Sequence, residues 1–313
     1  MKTILILLIG LCLAGCQGKS STLTVMVPSG IPLIAVGSFL NDEEIAITDV
    51  NNPSLLISAM TSQSHDIVIA PLNVGVKAYN TNNQSYQLAG ILTFGNSYIV
   101  TRKSHSLSSI TDLQGQTLLA YGQNSTPDIV LKTSLQTNDV TAFIGYQANI
   151  NLTVPLFLCN TNDVNDESCS EYSYLLAAEP IISLFEEKYQ LPLNILDLQA
   201  VLSTQIEKIP QAAIFVNPYS SNQPAIDLFL NNLFENTKEL NENPQDYAQS
   251  IFHNHPYFES LTLQVLEKCI PRSQIAFEKV SAQTEYLLNY YQLVLTFDSQ
   301  ILGGKLPNAG FYR

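Results

Sequence analysis

The chain has 313 residues, of which 46% are hydrophobic and 13% charged, and its formal net charge is −13. This much apolar material in a chain of this length supports two packed domains and excludes a largely disordered protein. The strong negative charge and the presence of only three arginines exclude a nucleic-acid-binding protein, which needs clustered cations.

The first residues, MKTILILLIGLCLAGC, have the pattern of a secretory signal peptide. Lys2 precedes an apolar run from Ile4 to Leu13, and small residues follow that run. The run is shorter than the roughly 20 apolar residues that a membrane-spanning helix needs. We therefore expect a signal peptide over residues 1–15 and a short polar tether over residues 16–22.

The tetrad Leu13-Ala14-Gly15-Cys16 resembles the lipobox of bacterial lipoproteins. In that family the cysteine thiol takes a diacylglycerol and becomes the N-terminus after cleavage. The resemblance implies an extracytoplasmic protein that a lipid on Cys16 anchors to the cell membrane, since each buried methylene contributes about 0.8 kcal/mol. The alternative is an ordinary signal peptide in which Cys16 is incidental.

After the tether, short β-branched runs alternate with helical segments. LTVMV, EIAITDV and DIVIAPL predict strands, and the helices IPLIAVGSFL and NPSLLISAMTS separate them. Further along the chain, the predicted strands are YQLAGILTF, NSYIVTRK, TLLAYG, YSYLLAA and AAIFVNP. The predicted helices STPDIVLKTSLQ and EPIISLFEEKY lie between the last three of these strands. This order predicts an α/β fold with mainly parallel sheets.

Two regions depart from the alternation. Residues 149–164 predict a loop with one strand, and only helices are predicted after Ser220. The runs FGNSYIVTRK and PQAAIFVNP each predict a strand that leaves one α/β unit for another. We therefore expect a first lobe over residues 23–101 and 205–313, a second lobe over residues 102–204, and a central cleft between them, where small ligands commonly bind.

The cysteines left in the mature chain do not form a metal or redox motif. Cys159 and Cys169 either close a disulfide across a loop or remain unpaired thiols, and Cys269 is expected to be a small apolar residue of a helix. Because no CxxC pair is present, we expect no metal site of this kind.

Several segments together resemble a known family. They are VPSGIPLIAVGSF, DIVIAPLNVGVKAY, YQLAGILTFGNSYIV, ITDLQGQTLLAYGQNSTPDIVL, YLLAAEPIISLF, PQAAIFV and ILGGKLPNAGFYR. Their order and spacing resemble the substrate-binding lipoproteins of ABC transporters, in the nitrate, sulfonate and thiamine-precursor group. The resemblance covers the chain from about Leu23 to Arg313. It implies the two-lobed type II periplasmic-binding-protein fold, a small-molecule ligand, an ABC permease with its ATPase as partner, and a monomer.

In the first lobe, the candidate ligand-binding residues follow predicted strands. Ser29, Gly30 and Ile31 follow the first strand, and Asn73 follows the third. Strand ends in such sheets meet helix N-termini, which offer free N–H groups to a ligand. The alternative for the first group is a tight turn with a helix cap.

The remaining candidates lie at the predicted crossing and in the second lobe. Asn96 and Ser97 fall where the chain crosses between lobes. A strand is joined to a helix start by a loop that contains Gly122, Asn124, Ser125 and Thr126. Such a helix start can bind a singly charged anion without a cationic side chain.

Glu179 ends the strand YSYLLAA, where the resemblance places an acid–proline pair at the cleft. It would either accept a hydrogen bond from a ligand amine or favour the helix start through the helix dipole. For Arg272 we expect an internal ion pair rather than a ligand contact.

No catalytic arrangement is evident, so we expect a binding protein without enzymatic activity or cofactor. The four histidines are scattered, and no GxSxG motif is present. The expected strand-end loops hold no lysine or arginine, which disfavours a multiply charged anion. The sequence favours a neutral, zwitterionic or singly charged organic solute, with a thiamine-precursor-like heterocycle slightly ahead of a sulfonate. The alternative function is a signalling or adhesion lipoprotein with a vestigial cleft.

If Cys16 carries the lipid, Cys16→Ser should abolish incorporation of labelled fatty acid and release the protein from membranes. The folded body should survive, because the change lies in the tether. Metabolic labelling and membrane fractionation measure both effects. A mutant that still takes up fatty acid and stays with the membrane would contradict the anchor.

Overall fold

The computed structural model describes residues 22–82, 86–158 and 172–313. The predicted signal peptide over residues 1–15 and the lipid-anchor residue Cys16 lie outside the described residues. So do Cys159, Cys169 and the stretch between them.

Among the described residues, six strands form a first sheet. They are β1 (Leu23–Pro28), β2 (Ile45–Val50), β3 (Ile67–Pro71), β4 (Gln87–Thr93), β10 (Ala212–Val216) and β11 (Ile275–Lys279). Their order across the sheet is β11-β4-β10-β3-β1-β2. β1 pairs in parallel with β2 and β3, whereas β10 is antiparallel to β3 and β4. The carboxyl ends of β1, β3 and β4 therefore lie at one edge, beside the start of β10.

A second sheet has five strands in the described part of the chain. They are β5 (Tyr98–Arg102), β6 (Thr117–Tyr121), β7 (Phe143–Gln147), β8 (Tyr174–Ala177) and β9 (Leu193–Asp197). Their order is β7-β6-β8-β5-β9. β6 is parallel to β7 and β8, and β5 is antiparallel to β8 and β9. The carboxyl ends of β6, β8 and β9 lie at the edge where β5 begins.

Helices cover both faces of each sheet, as crossover connections between parallel strands require. The helices are α1 (Ile31–Ala35), α2 (Pro53–Ser62), α3 (Leu72–Asn82), α4 (Thr126–Thr137), α5 (Thr153–Leu158), α6 (Ile181–Glu187), α7 (Leu198–Val201), α8 (Gln223–Glu242), α9 (Pro244–Ile251), α10 (Pro256–Leu261), α11 (Leu263–Arg272) and α12 (Glu285–Asp298). A 3₁₀ turn, Ser299–Leu302, follows α12.

One apolar core extends along the same side of both sheets. It joins Val76 of α3 in the first lobe to Ile129 of α4 in the second, and Tyr290 of α12 belongs to it. We call this the α3/α4 side. On the opposite side, which we call the α6/α11 side, α1 and α8 to α11 cover the first sheet, and α5 and α6 cover the second.

The chain crosses between the two sheets twice, and the two crossings are hydrogen-bonded to each other. Gly95 N–H donates to the carbonyl of Ile209 at 2.8 Å, and Gln211 N–H donates to the carbonyl of Thr93 at 2.9 Å. The side-chain amide of Gln211 also donates to the carbonyl of Gly95 at 2.7 Å. These bonds align the two crossings side by side between the lobes.

The α/β architecture with two lobes is confirmed, and five elements differ from the prediction. Phe143–Gln147 and Leu193–Asp197 form the edge strands β7 and β9 of the second sheet, where no strand was predicted. The predicted division places residues 98–101 in the first lobe, but they belong to the strand Tyr98–Arg102, which pairs in the second sheet, where all five of its side chains are buried. Residues 153–158 form α5 rather than a loop or strand. Ile275–Lys279 is a strand in a region predicted to be helical, because it pairs with β4 far away in sequence. The assignment of the remaining boundaries to the two lobes stays a proposal.

Within residues 22–82, 86–158 and 172–313, no helix combines the length and apolar character that a membrane span requires.

The packing of α3 onto the first sheet depends on Gly75. A Cβ atom at this position would lie 2.0 Å from the ring of Phe215 in β10. We expect Gly75→Ala to lower stability by about 1–3 kcal/mol through overpacking, although alanine in a helix normally stabilises by about 1 kcal/mol. Denaturant unfolding measures the change, with Ser58→Ala on exposed α2 as control. Adding Phe215→Leu should restore part of the loss, and a stabilised Gly75→Ala would contradict the packing.

Candidate functional site

Two of the predicted binding residues, one from each lobe, line the same cavity. Asn73 lies in the first turn of α3, and Asn124 lies in the loop between β6 and α4. The cavity has a volume of about 410 Å³. Its other lining residues are Ile57, Val74, Lys77, Ala78, Thr81, Asp298, Gln300 and Ile301. A solute in this cavity would contact both lobes.

Asn73 is held at the cavity because the start of α3 is fixed to the second crossing. The N–H of Leu72, the first residue of α3, donates to the carbonyl of Gln211 at 2.9 Å. Asn73 is 7% exposed, and its Oδ1 accepts from the N–H of Val74 at 3.0 Å. Its Nδ2 remains as a donor toward a polar solute.

Lys77 and Asp298 line the cavity but are absent from the predicted site residues. Lys77 lies four residues after Asn73, so both side chains share one face of α3, and this spacing is the signal in the sequence. Asp298 ends α12, and its Oδ1 accepts from the N–H of Gln300 at 2.9 Å. Within the described residues, neither side chain has an ion-pair partner within 4.0 Å. The cavity therefore presents one cation and one anion that are separate from each other.

The helix start predicted to bind an anion already has a carboxylate at its free amide. Asn124 has a positive φ of 66°, and its N–H donates to Oδ2 of Asp128 at 2.7 Å. Asp128 is completely buried and also accepts from Lys132 at 2.9 Å and from the Tyr146 hydroxyl at 2.7 Å. The N–H of Asn124 is therefore already used by an internal carboxylate, so it is not free to bind an anionic ligand.

The other predicted residues of this loop have different surroundings. Gly122 has a positive φ of 59°, and its N–H donates to the carbonyl of Gln147 at 3.0 Å. The hydroxyls of Thr126 and Tyr290 share a hydrogen bond of 2.9 Å, which links α4 to α12. The hydroxyl oxygen of Ser125 is buried and has no hydrogen-bond partner among the described residues.

The residues after β1 are not part of this cavity. The hydroxyl of Ser29 donates to Oδ2 of Asp49 at 2.8 Å, and Ile31 is buried in the core. Gly30 has a φ of 107° and open space around the position of a Cβ atom. Ser29 and Ile31 therefore lie in the turn that joins β1 to α1, in agreement with the alternative interpretation of these residues.

Ser29, Asp49 and His255 do not form a nucleophilic triad. Nε2 of His255 lies 3.4 Å from Oδ1 of Asp49, so the carboxylate lies between the hydroxyl and the imidazole. Activation of a serine requires the imidazole next to the hydroxyl. Among the described residues, no group of three or more histidine, cysteine, aspartate or glutamate side chains lies close enough to hold a metal ion.

Asn96 and Ser97 stabilise the first crossing. Oδ1 of Asn96 accepts from the N–H of Glu179 at 2.7 Å, so the crossing is bonded to the end of β8. Ser97 is almost completely buried, and its hydroxyl accepts from the side-chain amide of Gln211 at 3.1 Å. Ser97 therefore links the two crossings, and Asn96 fixes the first crossing to the second lobe.

Glu179 is engaged by Arg272 from the first lobe. Its side chain is completely buried, with Oε1 3.0 Å from Nε of Arg272, and Oε2 accepts from the N–H of Ser183 at 3.0 Å. Burial raises the pKa of Glu179 to about 7, although the guanidinium of Arg272 and the Ser183 amide act to lower it. The expected internal ion pair of Arg272 is present, and Glu179 is its partner.

The raised pKa of Glu179 predicts a specific dependence of stability on pH. The folded chain holds this proton more tightly than the unfolded chain, whose carboxyl has the ordinary value of 4.5. The stabilisation is complete below pH 4.5 and is lost as the pH rises through about 7. Relative to Glu179→Gln, the wild type should lose up to about 3 kcal/mol across this range.

Denaturant unfolding of both proteins at several pH values measures this difference. The exposed residue Glu43 supplies the matched control, because Glu43→Gln should keep a constant difference from the wild type over the same range. A constant difference in unfolding free energy between Glu179→Gln and the wild type would contradict the raised pKa of Glu179.

No protein-family model and no curated protein matches this chain. Solved structures with a similar fold include an ABC transporter protein from Parabacteroides distasonis, with 19% identity and a TM-score of 0.74 over 94% of this chain and 99% of that one. The alkanesulfonate-binding protein SsuA from Xanthomonas axonopodis pv. citri, bound to MOPS, has 13% identity and a TM-score of 0.64 over 92% and 94%.

The ligand-binding component of an ABC-type import system from Staphylococcus aureus, with zinc bound, has 10% identity and a TM-score of 0.68 over 94% of this chain and 96% of that one. The structural neighbours are thus substrate-binding components of ABC transporters. At these identities the likeness shows the fold, which is the two-lobed periplasmic-binding-protein fold that the sequence resemblance implies.

Proposed function

We propose that this chain is an extracytoplasmic solute-binding protein that a lipid on Cys16 anchors to the cell membrane. It captures a small organic solute and delivers it to the permease of an ABC importer. The observation that carries the proposal is the cavity lined by Asn73 from one lobe and Asn124 from the other. A solute that contacts both lobes stabilises one relative arrangement of them, which a permease can recognise.

The charges of the cavity support a solute with at most one negative charge. Lys77 is the only cationic side chain among its lining residues, and Asp298 opposes further negative charge. Apolar contacts from Ile57, Val74 and Ile301 suit an organic body. A phosphate or a di- or tricarboxylate would normally require more cations or a bidentate arginine.

Among solutes with at most one negative charge, the contacts of Glu179 change which candidate solute we favour. The sequence favours a thiamine-precursor-like heterocycle slightly, because Glu179 would accept from its amine. Glu179 instead pairs with Arg272, whereas Lys77 offers a partner to one anionic group. We therefore place a sulfonate-like or monocarboxylate solute ahead of the heterocycle.

A signalling or adhesion lipoprotein remains the second candidate. The observation in its favour is that hydroxyls of Ser29, Ser97 and Thr126 are used in internal hydrogen bonds. Genes for a permease and an ATPase beside the gene for this chain would favour transport.

Two experiments test the proposed function directly. Native mass spectrometry of the protein purified from its own host should show a bound small molecule. Thermal-shift and calorimetric titrations should show binding of ethanesulfonate or a thiamine-precursor pyrimidine, but not of phosphate or citrate. Tight binding of phosphate or citrate would contradict the proposed ligand class.

Substitutions on each side of the cavity should weaken binding of the solute so identified. Asn73→Ala removes an amide from α3, and Asn124→Gly removes one without straining the positive φ. Each should raise Kd by about 5- to 150-fold, which corresponds to the 1–3 kcal/mol of a lost buried hydrogen bond. Calorimetry with that solute measures the change.

The matched controls are Asn231→Ala on α8 and Asp139→Gly, which also has a positive φ and is exposed. Both should leave Kd unchanged. Unchanged affinity in Asn73→Ala and Asn124→Gly, with solute bound, would place the binding site elsewhere.

A further inference from the structure

The two lobes also meet on the α6/α11 side, opposite the cavity. There α6 of the second lobe packs against α11 of the first. Leu184 of α6 contacts the apolar cores of both lobes on this side. The contact is therefore a second connection between the lobes, separate from the two crossings of the chain.

Five charged side chains surround this contact. Glu179, Glu186 and Glu187 come from the second lobe, and Lys268 and Arg272 come from the first. Arg272 lies 3.0 Å from Glu179 and 2.6 Å from Glu186, and Lys268 lies 3.3 Å from Glu186 and forms a second ion pair with Glu187. We call these five residues the clasp.

Each of these ion pairs joins one lobe to the other. The Glu179 carboxylate is completely buried, and the side chains of Arg272 and Lys268 are 29% and 37% exposed. The main chain adds to the contact, because the hydroxyl of Tyr98 at the start of β5 donates to the carbonyl of Arg272 at 2.8 Å. The end of α11 is thus bonded to α6, to the end of β8 and to β5.

Separation of the lobes on this side would break all of these bonds together. Arg272 is the cationic partner of Glu179 among the described residues, and a buried carboxylate that loses such a partner is costly, whereas exposed ion pairs alone contribute little. No equivalent ion pair between the lobes is present around the cavity in the described part of the chain. On the α3/α4 side, the neutral Thr126–Tyr290 hydrogen bond joins α4 to α12.

We infer that the clasp holds the α6/α11 side closed when no solute is bound, so that the cleft opens only on the α3/α4 side. A solute then enters and leaves past Asn73, Lys77 and Asn124, and the clasp residues are not ligand contacts. This property concerns the lobes themselves, so it holds whether the chain serves transport or signalling.

Distances between nitroxide labels in the solute-free protein test the inference. Labels are attached through keto side chains at exposed positions, so that no cysteine is altered. Gln190 and Gln245 report on the α6/α11 side, and Ser58 and Gln136 report on the α3/α4 side. In the wild type we expect a narrow distribution for the first pair and a broader one for the second.

A charge-reversal variant then tests whether the ion pairs of the clasp cause the narrow distribution on the α6/α11 side. Lys268→Glu should shift the Gln190–Gln245 distribution to longer distances, because it places three like charges together across the contact. The double variant Lys268→Glu with Glu187→Lys should restore the short distance. The matched control is Lys238→Glu, which breaks the Lys238–Glu235 pair within α8 of the first lobe and should leave both distributions unchanged.

Three outcomes would overturn the clasp. One is a wild-type distribution on the α6/α11 side that is as broad as that on the α3/α4 side. Another is a Lys268→Glu distribution equal to that of the wild type. The third is a shift that the double variant does not reverse. If Lys268→Glu fails to fold, the comparison of the two wild-type distributions alone decides whether the clasp is correct. None of these measurements requires that the solute be known.

Discussion

The two crossings of the chain lie side by side, and their hydrogen bonds determine how the lobes face each other. Gln211 is central, because its backbone bonds to Thr93 and its side chain bonds to Gly95 and Ser97. Its carbonyl also accepts from the first residue of α3, so the helix that carries Asn73 and Lys77 is fixed to the same crossing. The position of the cavity relative to the second lobe therefore depends on one short segment.

Beyond the crossings, the two sides of the molecule are joined by different kinds of interaction. Ion pairs and a buried carboxylate join α6 to α11, whereas apolar packing of α12 and one hydroxyl pair join the lobes near the cavity. Apolar contacts are non-directional, so they tolerate small rotations, while a buried ion pair requires defined geometry. This difference gives a physical reason for movement on one side and rigidity on the other.

Most strands of the fold were predictable because each is a short, buried β-branched run between turn residues. β7 and β9 were not, because these two edge strands are mostly only partly buried and lack such a run. β11 was not, because Ile275–Lys279 is short, follows Pro271 and becomes a strand only by pairing with β4. Within the site, Asn73 and Asn124 were predictable from their positions at strand ends. Lys77 lies inside a helix, where only its spacing from Asn73 indicates a shared face, and no local pattern indicates Asp298.

Glu179 shows why a strand-end position alone does not identify a ligand contact. Its place after β8 is the place where such sheets bind ligands, and its burial suits a functional carboxylate. Its partner Arg272 is 93 residues away in the sequence and reaches it only because α11 ends beside the start of β11. A carboxylate neutralised by a cation of the opposite lobe serves the contact between lobes. We therefore propose polar ligand contacts at this edge for Lys77, which has no ion-pair partner among the described residues, and for Nδ2 of Asn73, whose Oδ1 accepts from Val74.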